Sequence, residues 1–204
     1  MIAATADTDA VAIALPPYEG IALADVRLVR SDQDAAAALA DLQAMDVVGF
    51  DTESKPTFLK GEVSTGPHLI QLASDSTAWL FQIGSQAPSE AIAHVLATVL
   101  QSRAILKVGF GLADDIKRLR AKLGIETAHV VDLATAMKQK NERNSLGAKT
   151  AVARFFGQAL QKSKKITTTN WAMPRLSEKQ ILYAADDAHV ALKLYRHWQA
   201  TKQK

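Results

Sequence analysis

Short apolar runs that end in acids or turn residues alternate with longer stretches whose apolar positions recur every three to four residues, a pattern of strands interleaved with amphipathic helices. Val26 to Val29 predicts a short strand, and DQDAAAALADLQAM a helix with Ala and Leu at helical spacing, capped by Ser31 or Asp32. In VVGFDTE, Val47, Val48 and Phe50 make a buried strand that ends in a carboxylate pair, Asp51 and Glu53. HLIQLAS and TAWLFQI are two more strands, parted by Asp75 and Ser76 in what reads as a tight hairpin. Three neighbouring strands predict a meander.

After Pro88 the period changes. SEAIAHVLATVLQS predicts a helix, AILKVGF a strand, and DDIKRLRAKLG a helix stopped by Gly124. VVDLATAMKQK reads as a short strand running into a helix, SLGAKTAVARFFG as a helix, and LSEKQILYAADDAHVALKLYRHWQ as a long C-terminal helix begun by Ser177. Strands first and helices later predict an α/β fold with a mixed sheet.

The length, 204 residues, fits one domain. Pro16, Pro17 and Gly20 mark where a loose arm, 1–22, gives way to a single folded body, 23–204. With 48% hydrophobic and 22% charged residues, the composition excludes a disordered or collagen-like chain. Cysteine is absent, which rules out a disulfide framework, a cysteine nucleophile, a thiolate zinc site and an iron–sulfur cluster. A reducing compartment, the cytoplasm, is the expectation. No apolar run approaches the roughly 18 residues needed to span a bilayer. The opening MIAATADTDAVAIALPPYEG carries Asp7 and Asp9 ahead of its apolar patch and no basic n-region, so no secretory signal is expected.

Charge is polarised along the chain. From Ser145 onward, 11 Lys or Arg face three acids, a local balance of +8, while the remainder carries 13 against 18, or −5. A basic C-terminal third suits a polyanion, although solvated helix faces would give the same count.

Three segments could carry chemistry. Asp51 and Glu53, two apart on a strand, point to one face; paired carboxylates repel unless a cation such as Mg²⁺ or Mn²⁺ lies between them, the alternative being a solvated strand end. In VGFGLADDIKRL a strand meets a helix near Asp114 and Asp115. The dinucleotide-binding reading of Gly109-Phe110-Gly111 fails because Asp114 stands where a third glycine is required, and helix-dipole charge is the plain explanation for one of the two acids. In YAADDAHVALKLY, Tyr183 and Asp187 are four apart and share a helix face, whereas Asp186 points about 100° away. They form either a partly buried polar pair in need of partners or ordinary helix packing. His189 and the other histidines stand at no paired-ligand spacing.

Taken in order, Asp51, Glu53, Asp115, Tyr183 and Asp187 resemble the three motifs of the DnaQ-like DEDD exonucleases, with Tyr183 pointing to the DEDDy branch. KSKKITTTNWAMPRLSEKQILYAADDAHVALKLY is similar to the Werner-type exonuclease domain and ribonuclease D in its basic loop, Ser/Thr-rich link, Trp and Tyr-bearing helix. Asp115, not Asp114, fits the second motif, because relatives place the acid four residues before a Leu, here Leu119.

The resemblance implies an RNase H-like fold with a five-stranded mixed sheet flanked by helices. It also implies 3′-5′ removal of nucleotides from DNA or RNA by two divalent cations, Mg²⁺ or Mn²⁺, about 3.5–4 Å apart. Asp51 would then bridge both ions, Glu53 and Asp187 would share the one that activates water, Asp115 would reach the other through water, and Tyr183 would orient the attacking water. Lys162, Lys164 and Lys165, with Lys149 and Arg154 on the preceding helix, are candidates to track phosphates; Trp171 and Phe58 are candidate platforms for an end base. The competing expectation is a nucleic-acid-binding module that keeps the fold without turnover.

Overall fold

The computed structural model describes residues 14–59 and 61–202. Among these residues six strands, β1 (Val26–Val29), β2 (Val47–Glu53), β3 (Leu69–Ala73), β4 (Ala78–Gln82), β5 (Leu106–Gly109) and β6 (Val130–Asp132), form one sheet in the order β1-β4-β3-β2-β5-β6. β2, β3 and β4 pair antiparallel as the expected meander, while β1 on β4, β5 on β2 and β6 on β5 are parallel. At the hairpin, the Ser74 amide donates to the Thr77 carbonyl at 2.8 Å and the Ser74 hydroxyl accepts from the Thr77 amide at 3.1 Å. The mixed α/β class is as expected, but the sheet has six strands rather than the five implied by resemblance. β1 supplies a partner for the outer edge of β4, whose backbone groups would otherwise face solvent unpaired.

Among the described residues seven α-helices accompany the sheet: α1 (Asp32–Leu42), α2 (Glu90–Leu100), α3 (Ala113–Leu123), α4 (Leu133–Ala136), α5 (Ala148–Phe156), α6 (Lys164–Thr167) and α7 (Glu178–Lys202). Ser31 is the cap of α1: its hydroxyl accepts from the Asp34 amide, and Asp34 in turn accepts from the Ser31 amide. Gly124 ends α3 in the left-handed region at φ 66°, where a side chain would be strained. The helix expected in VVDLATAMKQK shortens to the single turn of α4, and a further turn, α6, forms inside the basic segment.

Two layers of core follow from the alternation of the strands. Val48, Phe50, Ile70, Leu72, Trp79 and Phe81 face α1 and α2. The opposite face packs Val47, Leu106 and Val108 against α5 and α7, and Leu69, Ala73 and Leu80 against Ala184, Ala185 and Ala188 of α7. The tightest approach is at Gly49 of β2, where a Cβ would lie 1.9 Å from the Ala188 carbonyl oxygen. Small residues on both elements let the α7 backbone rest on the strand.

Residues 1–13 of the expected arm lie outside the described residues. Its remainder touches the body: Ala159 donates to the Pro16 carbonyl at 2.8 Å, Tyr18 donates to the Ala159 carbonyl at 3.0 Å and stacks on Phe156, and the buried Ile21 donates its amide to Asp186 Oδ1 at 2.8 Å. Among the described residues, no helix is long and apolar enough to cross a membrane.

Gly49→Ala should destabilise the protein by about 1–3 kcal/mol, the scale of overpacking a tight contact, because the obstacle is backbone and not a flexible side chain. Urea unfolding followed by circular dichroism measures this; an unchanged midpoint would show that the helix is free to back away.

Candidate active site

The alternation that divides the core also sorts the end of β2. Val47 and Gly49 face α7, so Asp51 and Glu53, continuing the same register, face it too. Asp187 precedes Ala188, the residue seated against Gly49, and is 8% exposed. Ligand oxygens of Asp51, Glu53 and Asp187 all lie within 4.8 Å of one another. Thr52 points to the other side of the sheet and donates its hydroxyl to Asp115 Oδ1 at the start of α3. Arg118, one turn along α3, donates to the same oxygen at 3.3 Å. Asp115 is 7% exposed, whereas Asp114 is exposed.

Gathering these acids has an electrostatic consequence. Burial first, then the charges of Asp187 and Asp115, push the Asp51 carboxyl well above the usual carboxylate range. Burial, Asp51 and Asp187 push Glu53 up to about 9. Burial also raises Asp115 and Asp187, the latter against the opposing pull of Lys162, whose Nζ lies 2.6 Å from Asp187 Oδ1. Burial alone would lower the Lys162 ammonium, but the carboxylate of Asp187 leaves it above its ordinary value. An all-oxygen, mutually repelling donor set fits a hard divalent cation: protons or positive charge must neutralise it.

Tyr183 stands one turn before Asp187 on α7. Its Oη is 2.9 Å from the hydroxyl of Thr167, its ring lies tilted against Trp171 with centroids 6.1 Å apart, and the Lys162 ammonium is 5.7 Å from its centroid. Burial, then the Asp187 charge, push the phenol up to about 12. Trp171, an expected base platform, is 0% exposed: it is core, filling the space beneath Tyr183 and donating Nε1–H to the Thr167 carbonyl at 3.3 Å. The other expected platform, Phe58, is 79% exposed. It sits at the tip of a loop where Glu62 accepts from the amides of Phe58 and Leu59 at 3.0 and 3.2 Å. Buried His68 accepts from the Lys55 amide at 3.0 Å at the loop's root. Burial, with Lys122 and Lys55, lowers its imidazole to about 4, so it is neutral.

The expected phosphate-tracking residues divide into groups. Lys164 and Lys165 are exposed on α6, and Lys162 reaches into the acidic site. Lys149 donates to the Lys162 carbonyl at 3.1 Å, and the Arg154 guanidinium is paired with Glu142. Sequence reasoning missed Thr52, Arg118 and Thr167. Thr52 lies between two acids and reads as a filler, and Thr167 is the first of three threonines expected to form only a link; their partners are distant in sequence.

A family model described as 3′-5′ exonuclease matches residues 26–200. The bifunctional 3′-5′ exonuclease/ATP-dependent helicase WRN of Mus musculus is 30% identical over 152 residues, covering 74% of this chain and 11% of that protein. The Nibbler EXO domain of Aedes aegypti superposes with a TM-score of 0.76 at 24% identity, over 92% of this chain and 94% of that one. Trypanosoma brucei RNase D, solved in complex with RNA U12, gives 0.74 at 20% identity over 84% and 61%. These two likenesses speak for the fold. The chain spans 11% to 27% of the length of the first curated relatives it matches.

The raised Glu53 value sets a sign for stability against pH. Its folded value of about 9 exceeds the ordinary 4.5, so the native state holds a proton that unfolding releases. That contribution is complete below pH 4.5 and is lost as the pH rises through about 9. In EDTA the melting temperature should fall across this window, and Glu53→Gln should flatten the fall. Mn²⁺ should raise the melting temperature more at the alkaline end than at the acid end. A Glu53→Gln profile parallel to the parent's would remove Glu53 from the buried cluster.

Proposed function

The chain belongs to the 3′-5′ exonuclease family, and on that premise we propose that it removes nucleoside monophosphates from the 3′ ends of DNA or RNA as a DEDDy-type enzyme. Asp51, Glu53, Asp115 and Asp187 would hold two divalent cations, Mg²⁺ or Mn²⁺. The observation that carries this reading is the convergence of Asp51, Glu53 and Asp187, with ligand oxygens within 4.8 Å, from a strand end and a late helix. A cluster so unfavourable by itself has no structural use that well-packed apolar residues would not serve better.

Bound there, divalent cations would acidify a water molecule and stabilise the attacking and leaving oxygens of an in-line displacement. Asp51, raised first by burial and then by the charges of Asp187 and Asp115, has acidic neighbours from both segments and would be the ligand shared by the two ions. Tyr183, with its phenol at about 12, stays protonated at neutral pH and holds water by a hydrogen bond instead of taking its proton. Lys162 brings an ammonium to the same space and is suited to a substrate phosphate. Lys164 and Lys165 track the backbone beyond it, and Phe58 offers an exposed aromatic face for the terminal base. Lys149 and Arg154, engaged with Lys162 and Glu142, support this surface more directly than they contact substrate.

The test is release of mononucleotides from 3′-end-labelled single-stranded DNA and RNA with Mn²⁺, Mg²⁺ or EDTA. Asp51→Ala and Asp187→Ala should each lower turnover roughly 1000-fold or more, the several kcal/mol that metal charge stabilisation supplies. Tyr183→Phe should cost about 10- to 100-fold, as befits a lost hydrogen bond, with metal binding intact. Tight binding of substrate without chelator-sensitive release would favour a non-catalytic module. A second assay separates the adjacent acids: Asp115→Ala should be crippling and Asp114→Ala within about two-fold of the parent, since only the former is buried at the site. Equal damage would displace the second motif by one residue.

A further inference from the structure

We infer that Thr167 is a positioning residue for the Tyr183 phenol, holding its oxygen in place; this rests on the exonuclease reading above. Thr167 closes α6, and its hydroxyl donates back to the Ser163 carbonyl at 3.3 Å. A threonine hydroxyl carries a single proton. The Ser163 carbonyl already accepts from the Ile166 and Thr167 amides, and Thr167 Oγ1 lies closer, at 2.9 Å, to Tyr183 Oη, a hydrogen bond in which either hydroxyl can donate.

The placement matters because a carboxylate of the acidic cluster interacts with the same phenol. Asp187 is one turn further along the same face of α7 and is the competing acceptor for the phenol proton. A phenol that donates to Asp187 occupies an oxygen of the carboxylate cluster. A phenol whose oxygen is held by Thr167 keeps one fixed place beside that cluster, which already has the Lys162 ammonium on Asp187, and so offers a water molecule a partner at a defined position.

Thr167 is itself held at several points. Its carbonyl accepts from the indole of fully buried Trp171, which packs against the Tyr183 ring. Two residues on, Thr169 accepts from the Gln180 amide at 3.1 Å, and Gln180 lies three residues before Tyr183 on α7. The run of threonines therefore fastens α6 to the helix that carries the phenol. Lys164 and Lys165 belong to that same turn, so the residues assigned to phosphate and the hydroxyl that holds the phenol share one turn of helix.

Thr167→Val removes the hydroxyl at nearly constant volume, and Thr167→Ser restores it. In the exonuclease assay, Thr167→Val should lower kcat about ten-fold with KM and Mn²⁺ affinity within two-fold of the parent. Thr167→Ser should recover to within two-fold, and Thr167→Val should cost nothing further in a Tyr183→Phe background. Protein labelled with 3-fluorotyrosine supplies a readout without metal or substrate. The ¹⁹F resonance that Tyr183→Phe deletes should shift in Thr167→Val and return in Thr167→Ser, with circular dichroism melts confirming that all variants fold. An unmoved fluorine signal, wild-type kcat in Thr167→Val, or an equal loss in the Tyr183→Phe background would overturn the assignment while the exonuclease reading stood. A shifted fluorine signal in a protein whose wild type releases no nucleotide would overturn the exonuclease reading, and this role with it.

Discussion

The contact on which the rest depends is the seating of α7 on β2. Gly49 has no side chain and Ala188 almost none, so the helix backbone comes down onto the strand until the Ala188 carbonyl occupies the place a Cβ would take. Because side chains alternate along β2, the face that accepts the helix is also the face that ends in Asp51 and Glu53. Because Asp187 is the neighbour of Ala188, it is delivered to those two acids by the same contact. Packing that would look like ordinary core economy is what assembles the chemistry.

That assembly runs against electrostatics, and the surroundings show how the opposition is managed. Burial raises Asp51, Glu53 and Asp187 above the usual range, and repulsion from neighbouring acids adds to it for Asp51 and Glu53, with Glu53 near 9. Lys162 offsets part of it at 2.6 Å from Asp187, while Arg118 and Thr52 both serve the single oxygen Oδ1 of Asp115. The second acid is thus held from behind the sheet, through the one residue between Asp51 and Glu53 that points the other way. Strand alternation puts two acids in front and their tether to a third behind.

The basic segment plays two parts. Lys164 and Lys165 stand free on α6, and Lys162 turns inward, so the positive charge counted in the C-terminal third is divided between a surface and a site. The threonines that follow, with Trp171 beneath them, join this segment to α7 at Tyr183 and Gln180. The stretch that reads as a link in the sequence is a clamp in the fold.

Local pattern alone determined the order of the strands and of the longer helices, the hairpin at Asp75, the Ser31 cap and the stop at Gly124, since each depends on residues within a turn or two of one another. It also determined that Asp51 and Glu53 share a face and that Tyr183 and Asp187 share another, because period fixes direction. Only the tertiary structure decided that those faces meet, that β1 adds a sixth strand beside β4, and that residues 16–21 lie on the body rather than loose. It alone decided the fates of like residues: Trp171 buried and Phe58 exposed, Arg154 spent on Glu142 and Lys165 left at the surface. The physical reason is the same in each case. Burial and pairing are relations between surfaces distant along the chain, and a residue's own type and spacing carry no record of which surface will be brought against it.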